Sequence, residues 1–207
     1  MVSMPADVPF TLLVVCTGNI CRSPVAERLG AAHLERVAAA GGPVVALASA
    51  GVRAVVGAPV DPASARALER LGASADGFRA RQLTEQLAVG VDLTLTMTRA
   101  HRAEVLARAP RAMARTFTLR EAAGLLGLVD PAEPLPDSPE DRMRALVARM
   151  AAMRSRRPSG SDDDIADPVG RDDEVHLRTA QTIADALLPL LDRLVPVGDE
   201  RAAGTPR

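Results

Sequence analysis

The first apolar stretch of the chain, Phe10–Cys16 (FTLLVVC), is continuous and rich in branched side chains, a pattern that suits a strand buried on both faces of a parallel sheet. The turn Thr17-Gly18-Asn19 follows at once. From Ser23-Pro24 the spacing of Val25, Leu29, His33 and Leu34 predicts a helix to about Ala39, stopped by Gly41-Gly42. Pro43–Ala48 predicts a second strand, ending at Ser49-Ala50-Gly51, and Asp61-Pro62 opens a helix that closes at Gly72. Leu83–Leu87 predicts a short helical piece, Val91–Met97 a third strand, Arg99–Ala107 a helix, Ala114–Leu119 a fourth strand and Arg120–Leu126 a further helix. Strands alternating with helices predict an α/β fold, a four-stranded parallel sheet with helices on both faces.

Residues 128–165 break that rhythm. A Pro-rich stretch leads to Ser138-Pro139, which predicts a capped helix to about Arg156, and the stretch ends in the polar run PSGSDDD. Met143, Leu146, Met150 and Met153 place an apolar stripe on that helix, as core packing would require. Because this inserted segment leads into Asp167, it is expected near the mouth of the site as a lid or docking element. A last amphipathic helix, Asp172–Val195, carries Val175, Ile183, Leu187 and Leu191 on or near one face. Residues 8–197 are expected to form one domain, and 198–207 a disordered tail.

Composition narrows the function classes. Of 207 residues, 47% are hydrophobic, but only three are Phe and none is Tyr or Trp, so any flat substrate meets aliphatic walls. The formal net charge is -1, and every one of the 25 basic residues is arginine, interleaved with acidic ones. A nucleic-acid footprint would need a basic stripe and stacking aromatics. No apolar run is long enough to span a bilayer, and the amino terminus lacks the pattern of a signal peptide. A cytoplasmic protein with no membrane or nucleic-acid partner is expected.

The chemistry concentrates in Cys16-Thr17-Gly18-Asn19-Ile20-Cys21-Arg22-Ser23-Pro24, at a strand-to-helix turn, where open α/β sheets hold their ligands. Successive backbone N–H groups in such a turn form an anion cradle, and the following helix adds the positive end of its dipole. A cysteine at the base of the cradle has its thiolate stabilised. Arg22, five residues on, offers a planar fork matched to two phosphate oxygens. Gly18 permits a tight turn, Asn19 tolerates left-handed backbone, and Ser23 can donate to the thiolate.

This string resembles the signature of the low-molecular-weight protein tyrosine phosphatase family, matching its fixed positions from Val15 to Glu27. The resemblance continues through Ser49-Ala50-Gly51, Ala80-Arg81-Gln82-Leu83, Asp92-Leu93 and Met97-Thr98, and resumes at Asp167-Pro168. It implies a four-stranded parallel sheet, Cys16 as nucleophile, Arg22 as phosphate ligand and Asp167 as general acid. Asn19, Ser23 and Ser49 then form a supporting network, and residues 17–22 the phosphate loop. Catalysis by this scheme needs no metal or cofactor, because N–H groups and Arg22 neutralise the transferring group. The implied substrate is phosphotyrosine in a protein. Bacterial relatives often oppose tyrosine kinases that control surface-polysaccharide export, which makes such a kinase a candidate partner.

Several positions depart from the family pattern. Val169-Gly170 stands where relatives carry aromatics, with Val55 and Val56 expected as the opposite wall. Phe78 replaces a histidine of the loop network, so support for Asn19 is expected to be incomplete. Ile20 favours an aryl phosphate, since relatives acting on phosphoarginine carry threonine there. Cys21 reads either as packing or as the partner of a reversible disulfide with Cys16. Asp162, Asp163 and Asp164 read as a solvated loop, and His33, His101 and His176 as packing residues without metal-ligand spacing. Two other functions use the same loop: an arsenate reductase drawing on an external thiol, and a phosphate-binding module without chemistry.

Overall fold

The computed structural model describes residues 9–157 and 163–195. The expected domain limits at 8 and 197, the 198–207 tail and Asp162 lie outside the described residues. Strand β1 (Phe10–Cys16) leads into helix α1 (Arg22–Ala39), β2 (Val45–Gly51), α2 (Pro62–Arg70), α3 (Glu85–Val89), β3 (Leu93–Thr96) and α4 (Arg99–Arg108). A 3-10 turn at Pro110–Arg115 follows, then β4 (Thr116–Thr118), α5 (Leu119–Leu128), α6 (Pro139–Ala152) and α7 (Asp173–Leu194).

The sheet is wholly parallel, in the order β2-β1-β3-β4. Chain direction across the sheet reverses between β1 and β3, and at such a switch point the carboxyl ends of the strands open a crevice. Cys16 is the last residue of β1 and sits there. The apolar run of β1 serves two cores, as its composition predicted. Phe10, Leu12, Val14 and Cys16 face the larger one, shared with α1, α5, α6 and α7, while Leu13 and Val15 face a smaller one shared with α3 and α4.

Local chemistry sets most element ends. Asp61 caps α2 through the N–H groups of Ala63 and Ser64 at 2.9 and 3.2 Å, and Pro62 occupies the first helical position. Thr118 and Glu121 form a reciprocal capping box on α5. Ser138 and Asp172 cap α6 and α7. The strand predicted at Pro43–Ala48 runs instead from Val45 to Gly51, because pairing with β1 extends as far as Cys16 opposite Gly51. The predicted helix at Leu83–Leu87 begins two residues later, since Leu83 N–H is committed to the Gly51 carbonyl at 2.8 Å.

The inserted segment forms a helix as expected, but that helix does not cover the site. Met143, Leu146, Val147 and Met150 of α6 are buried in the larger core. Arg144 bonds Asp92 at 2.9 Å, and Asp92 also accepts from the Thr11 N–H at 2.9 Å, at the end of the sheet opposite Cys16. After α6, Arg154 spans to Glu121 at 3.2 Å and the Thr116 carbonyl at 2.6 Å, with its guanidinium 4.2 Å from the Phe117 ring centre. An apolar stripe with this core to enter is drawn onto the β4 side of the sheet instead of over the crevice. Among the described residues of the insertion, those from Asp163 on reach the site. Replacement of the fully buried Met150 by alanine should therefore cost about 2–5 kcal/mol in urea unfolding, with the KM for a small aryl phosphate unchanged in the folded enzyme.

Candidate active site

The loop from Thr17 to Cys21 is held by its carbonyls. Cys16, Thr17 and Gly18 accept from the N–H groups of Val52, Arg53 and Val55 at 2.9, 3.0 and 2.9 Å. Ile20 accepts from Asp61 N–H at 2.8 Å, and Cys21 from Val25 N–H at 3.1 Å. With the carbonyls turned outward, the N–H groups of Gly18 to Cys21 have no protein acceptor among the described residues. The start of α1 is also open, since no side chain caps it. These donors and the helix dipole make an anion site around Cys16.

Asn19 is the keystone of that loop. Its φ of 54° is the one left-handed value at a non-glycine among the described residues. Its amide donates to Ser49 Oγ at 2.7 Å and Ser23 Oγ at 2.9 Å, and its oxygen accepts from Arg81 N–H at 2.8 Å. Because Ser23 Oγ receives that bond, its own hydrogen is free for Cys16 Sγ, 3.0 Å away. Support for Asn19 is therefore complete, contrary to the expectation drawn from Phe78, which is buried in the larger core. Gly18 is not the tight position either: a Cβ there would meet side chains alone, Ile20 at 3.4 Å and Val55 at 3.7 Å. Gly51 is, because a Cβ would stand 2.5 Å from the Thr17 carbonyl oxygen. Arg81 and Gln82 lock this crossing, Gly51 N–H bonding the Arg81 carbonyl at 3.0 Å and Gln82 bonding the Val52 carbonyl and Ala54 N–H, each at 3.0 Å.

Arg22 is 4% exposed and its guanidinium meets the Ile165 carbonyl at 3.1 Å and Asp167 at 2.5 Å. Among the described residues its buried Nε–H has no partner, a donor left over for an anion. Asp167 is brought there by a chain of tethers. Arg157 grips Asp163 through two bonds, of 2.5 and 3.0 Å. Asp164 accepts from Arg99 N–H at 2.8 Å, and Ile165 N–H bonds the Met97 carbonyl at 2.8 Å. Asp163 and Asp164 are thus anchors and not a solvated run. The pocket encloses about 230 Å³, with Cys16, Arg22, Asp167 and Arg53 among its lining and Ile20, Val55 and Val169 as aliphatic walls; Val56 is exposed outside it.

Two histidines also do more than pack. His101, 6% exposed, bonds Thr17 Oγ1 through Nε2 at 2.8 Å and Thr98 Oγ1 through Nδ1 at 3.0 Å. Burial, with the nearby Arg22 charge, pushes its pKa down to about 4, so it stays neutral against the loop. Its position at the start of α4, just after Met97-Thr98, was the available signal. His176 bonds Ser64 Oγ at 2.8 Å, and Cys21, Asp61 and His176 hold ligand atoms within 4.8 Å of one another. Burial pushes the Cys21 thiol up to about 12 despite a hydrogen bond from Ser64. His33 is largely covered, its side chain 13% exposed, with Nε2 3.0 Å from Asp192.

The model of the family described as low molecular weight phosphotyrosine protein phosphatase matches residues 11–152. The chain belongs to this family. It is accordingly a cysteine-based protein-tyrosine phosphatase, a phosphoric monoester hydrolase carrying the Cys-x5-Arg loop of that family at Cys16–Arg22. It is 41% identical over 107 residues, 52% of the chain and 67% of the relative, to the low molecular weight protein-tyrosine-phosphatase Etp of Escherichia coli K12. The tyrosine phosphatase Wzb from Escherichia coli K30, solved with sulphate, is similar with a TM-score of 0.61 and 27% identity over 89% of this chain and 97% of that one. The YwlE arginine phosphatase from Geobacillus stearothermophilus is similar with a TM-score of 0.60 and 28% identity, covering 90% of each chain. Asp167-Pro168 lies beyond the residues that the family model matches, so its place in this phosphatase rests on the tethers described above.

Replacement of Gly51 by alanine should destabilise the phosphatase by about 1–3 kcal/mol or more and lower kcat/KM. Gly127→Ala, with open space around it, should leave activity intact and raise stability by up to about 1 kcal/mol. His101 also predicts a pH effect. Its folded pKa near 4 lies below the ordinary 6.5, so the unfolded chain binds the extra proton first. Stability should be full above about pH 6.5 and fall by up to about 3 kcal/mol toward pH 4, and urea midpoints should show this slope weakened in His101→Asn.

Proposed function

We propose that the phosphatase hydrolyses phosphotyrosine in proteins through a cysteinyl-phosphate intermediate, with Cys16 as nucleophile, Arg22 as phosphate clamp and Asp167 as general acid and base. The observation that carries this reading is the placement of one unpartnered Arg22 donor, a ring of free N–H groups and Asp167 around the sulfur of Cys16. A phosphate dianion entering the cradle takes over the guanidinium fork from Asp167. The thiolate attacks phosphorus, the phenolic oxygen leaves with the proton of Asp167, and the same carboxylate then draws a proton from the attacking water. The N–H groups and Arg22 hold the equatorial oxygens as charge spreads over them. Ser23, directed at Cys16 by Asn19, steadies the sulfur as thiolate and as leaving group, and Ser49 supports Asn19.

The walls favour an aryl group. Ile20, Val55 and Val169 are apolar and face a ring with aliphatic contact, whereas a phosphorylated guanidinium would leave its N–H groups opposite them unpaired. Arg53 on the rim forms no side-chain ion pair among the described residues and suits acidic residues flanking the phosphotyrosine. Residues 8–197 act as a single phosphatase domain in this reading, and the tyrosine kinase that writes the mark is its natural partner class.

Hydrolysis of a small aryl phosphate without added metal should vanish in Cys16→Ser and fall roughly 10²–10⁴-fold in kcat in Asp167→Asn. Unchanged turnover in Asp167→Asn would remove the general-acid assignment. With matched peptides, phosphotyrosine should be preferred to phosphoarginine, and Ile20→Thr should narrow that preference; the opposite order would reassign the substrate class.

A further inference from the structure

Behind the phosphate loop lies a second group of reactive side chains that the hydrolysis does not use. Cys21 comes from the loop, Asp61 from the cap of α2 and His176 from the first turn of α7. Cys21 and His176 are 4% and 3% exposed, while the Asp61 side chain, 24% exposed, is the member that meets solvent. Their sulfur, oxygen and nitrogen atoms lie within 4.8 Å of one another. Far apart in sequence, they meet because α2 and α7 pack together against α1.

Thiolate, imidazole and carboxylate together are a donor set that zinc takes. Bonds of about 2.3 Å to sulfur and about 2.0–2.2 Å to nitrogen and oxygen set neighbouring ligand atoms of a tetrahedron roughly 3.3–3.7 Å apart. His176 Nδ1 and Asp61 Oδ1 stand 3.6 Å apart, too far for a hydrogen bond and already at that edge length. The longest separation in the group has to close by on the order of 1 Å to complete the triangle, a side-chain adjustment. Nδ1 bonds Ser64 Oγ at 2.8 Å, a bond that zinc ligation replaces, which leaves the Ser64 hydroxyl beside the fourth position.

We propose that Cys21, Asp61 and His176 form a zinc-binding site behind the catalytic pocket, which shares Cys21 with the phosphate loop. On binding, the Cys21 thiol releases its proton to solvent and a sulfur–zinc bond forms. The hydrated ion exchanges its waters for the three protein ligands and keeps one water to complete the tetrahedron, the rest leaving to solvent, and no electron is transferred. The ion fastens the start of α7, just beyond Asp167, to the loop that carries Cys16. It also occupies the one other cysteine sulfur in the chain, which is then closed to oxidation and to pairing with Cys16.

The test uses the full chain with Cys16→Ser, which removes the nucleophile as a rival ligand, and Zn²⁺ alone as probe against a chromophoric chelator. One zinc per chain is expected, with a raised melting temperature. Adding Cys21→Ser or His176→Gln should each weaken binding at least about tenfold. Cobalt(II) should give a sulfur-to-metal charge-transfer absorption that disappears with Cys21→Ser. No zinc bound to the Cys16→Ser protein, or equal affinity and absorption after Cys21→Ser, would overturn the proposal. Should His176→Gln fail to fold by circular dichroism, the near-isosteric Cys21→Ser pair decides alone.

Discussion

The structure depends on the polarity of one loop: the carbonyls of Cys16, Thr17, Gly18, Ile20 and Cys21 all point outward into N–H groups of the protein. A peptide unit has two ends, so each unit whose oxygen is fixed outside presents its N–H group inside. Four of the five outer donors belong to the segment from Val52 to Asp61. That segment reaches the loop only because Gly51 lets β2 pass within contact of Thr17. Asn19, in left-handed backbone, lets the loop turn, and Ser23, Ser49 and Arg81 satisfy every polar atom of its side chain. A cradle built this way is ready before the anion arrives, and its donors need no reorganisation during the reaction.

The second half of the site is carried from the other side of the sheet. Asp167 arrives after the inserted helix, and its segment is tied down by Arg157, Arg99 and the Met97 carbonyl before it reaches Arg22. The insertion therefore serves the site from a distance, by anchoring the segment that bears the carboxylate. Glu121, 7% exposed, joins Arg102 and Arg154 in the same region while also completing the cap of α5. Among the arginine pairs these partly buried ones matter most, because exposed pairs such as Arg66 with Asp173 contribute little in water.

Two sulfur atoms five residues apart have different surroundings. Cys16 faces the cradle and the Ser23 hydroxyl, whereas Cys21 lies among Ser64, Asp61 and His176, where burial keeps it a thiol. His101, also buried, stays uncharged beside Arg22 and adds a hydrogen bond to Thr17 without adding a second cation. Around the sulfur of Cys16 the charged side chains lining the site are thus Arg22, Asp167 and the rim residue Arg53.

The sequence by itself determined the alternation of strands and helices, the buried strand ahead of Cys16 and the loop of Cys16–Arg22. It also singled out Asn19, Ser23, Ser49 and Asp167, which the structure brings together. The elements and the loop were legible because local periodicity, capping residues and a contiguous motif are short-range features, whereas Ser49 and Asp167 were found through the resemblance to the family. The tertiary structure alone decided the rest. It placed α6 in the core and away from the crevice, because an apolar stripe does not say which surface it will cover. It turned Asp163 and Asp164 from a polar run into anchors, and it made Gly51 the tight glycine in place of Gly18. It brought His101 to Thr17 and His176 to Cys21, across separations of 84 and 155 residues that no spacing rule spans. Contacts between distant segments depend on how helices pack across the sheet, and that geometry is set by the summed burial of whole faces, not by any single residue in the string.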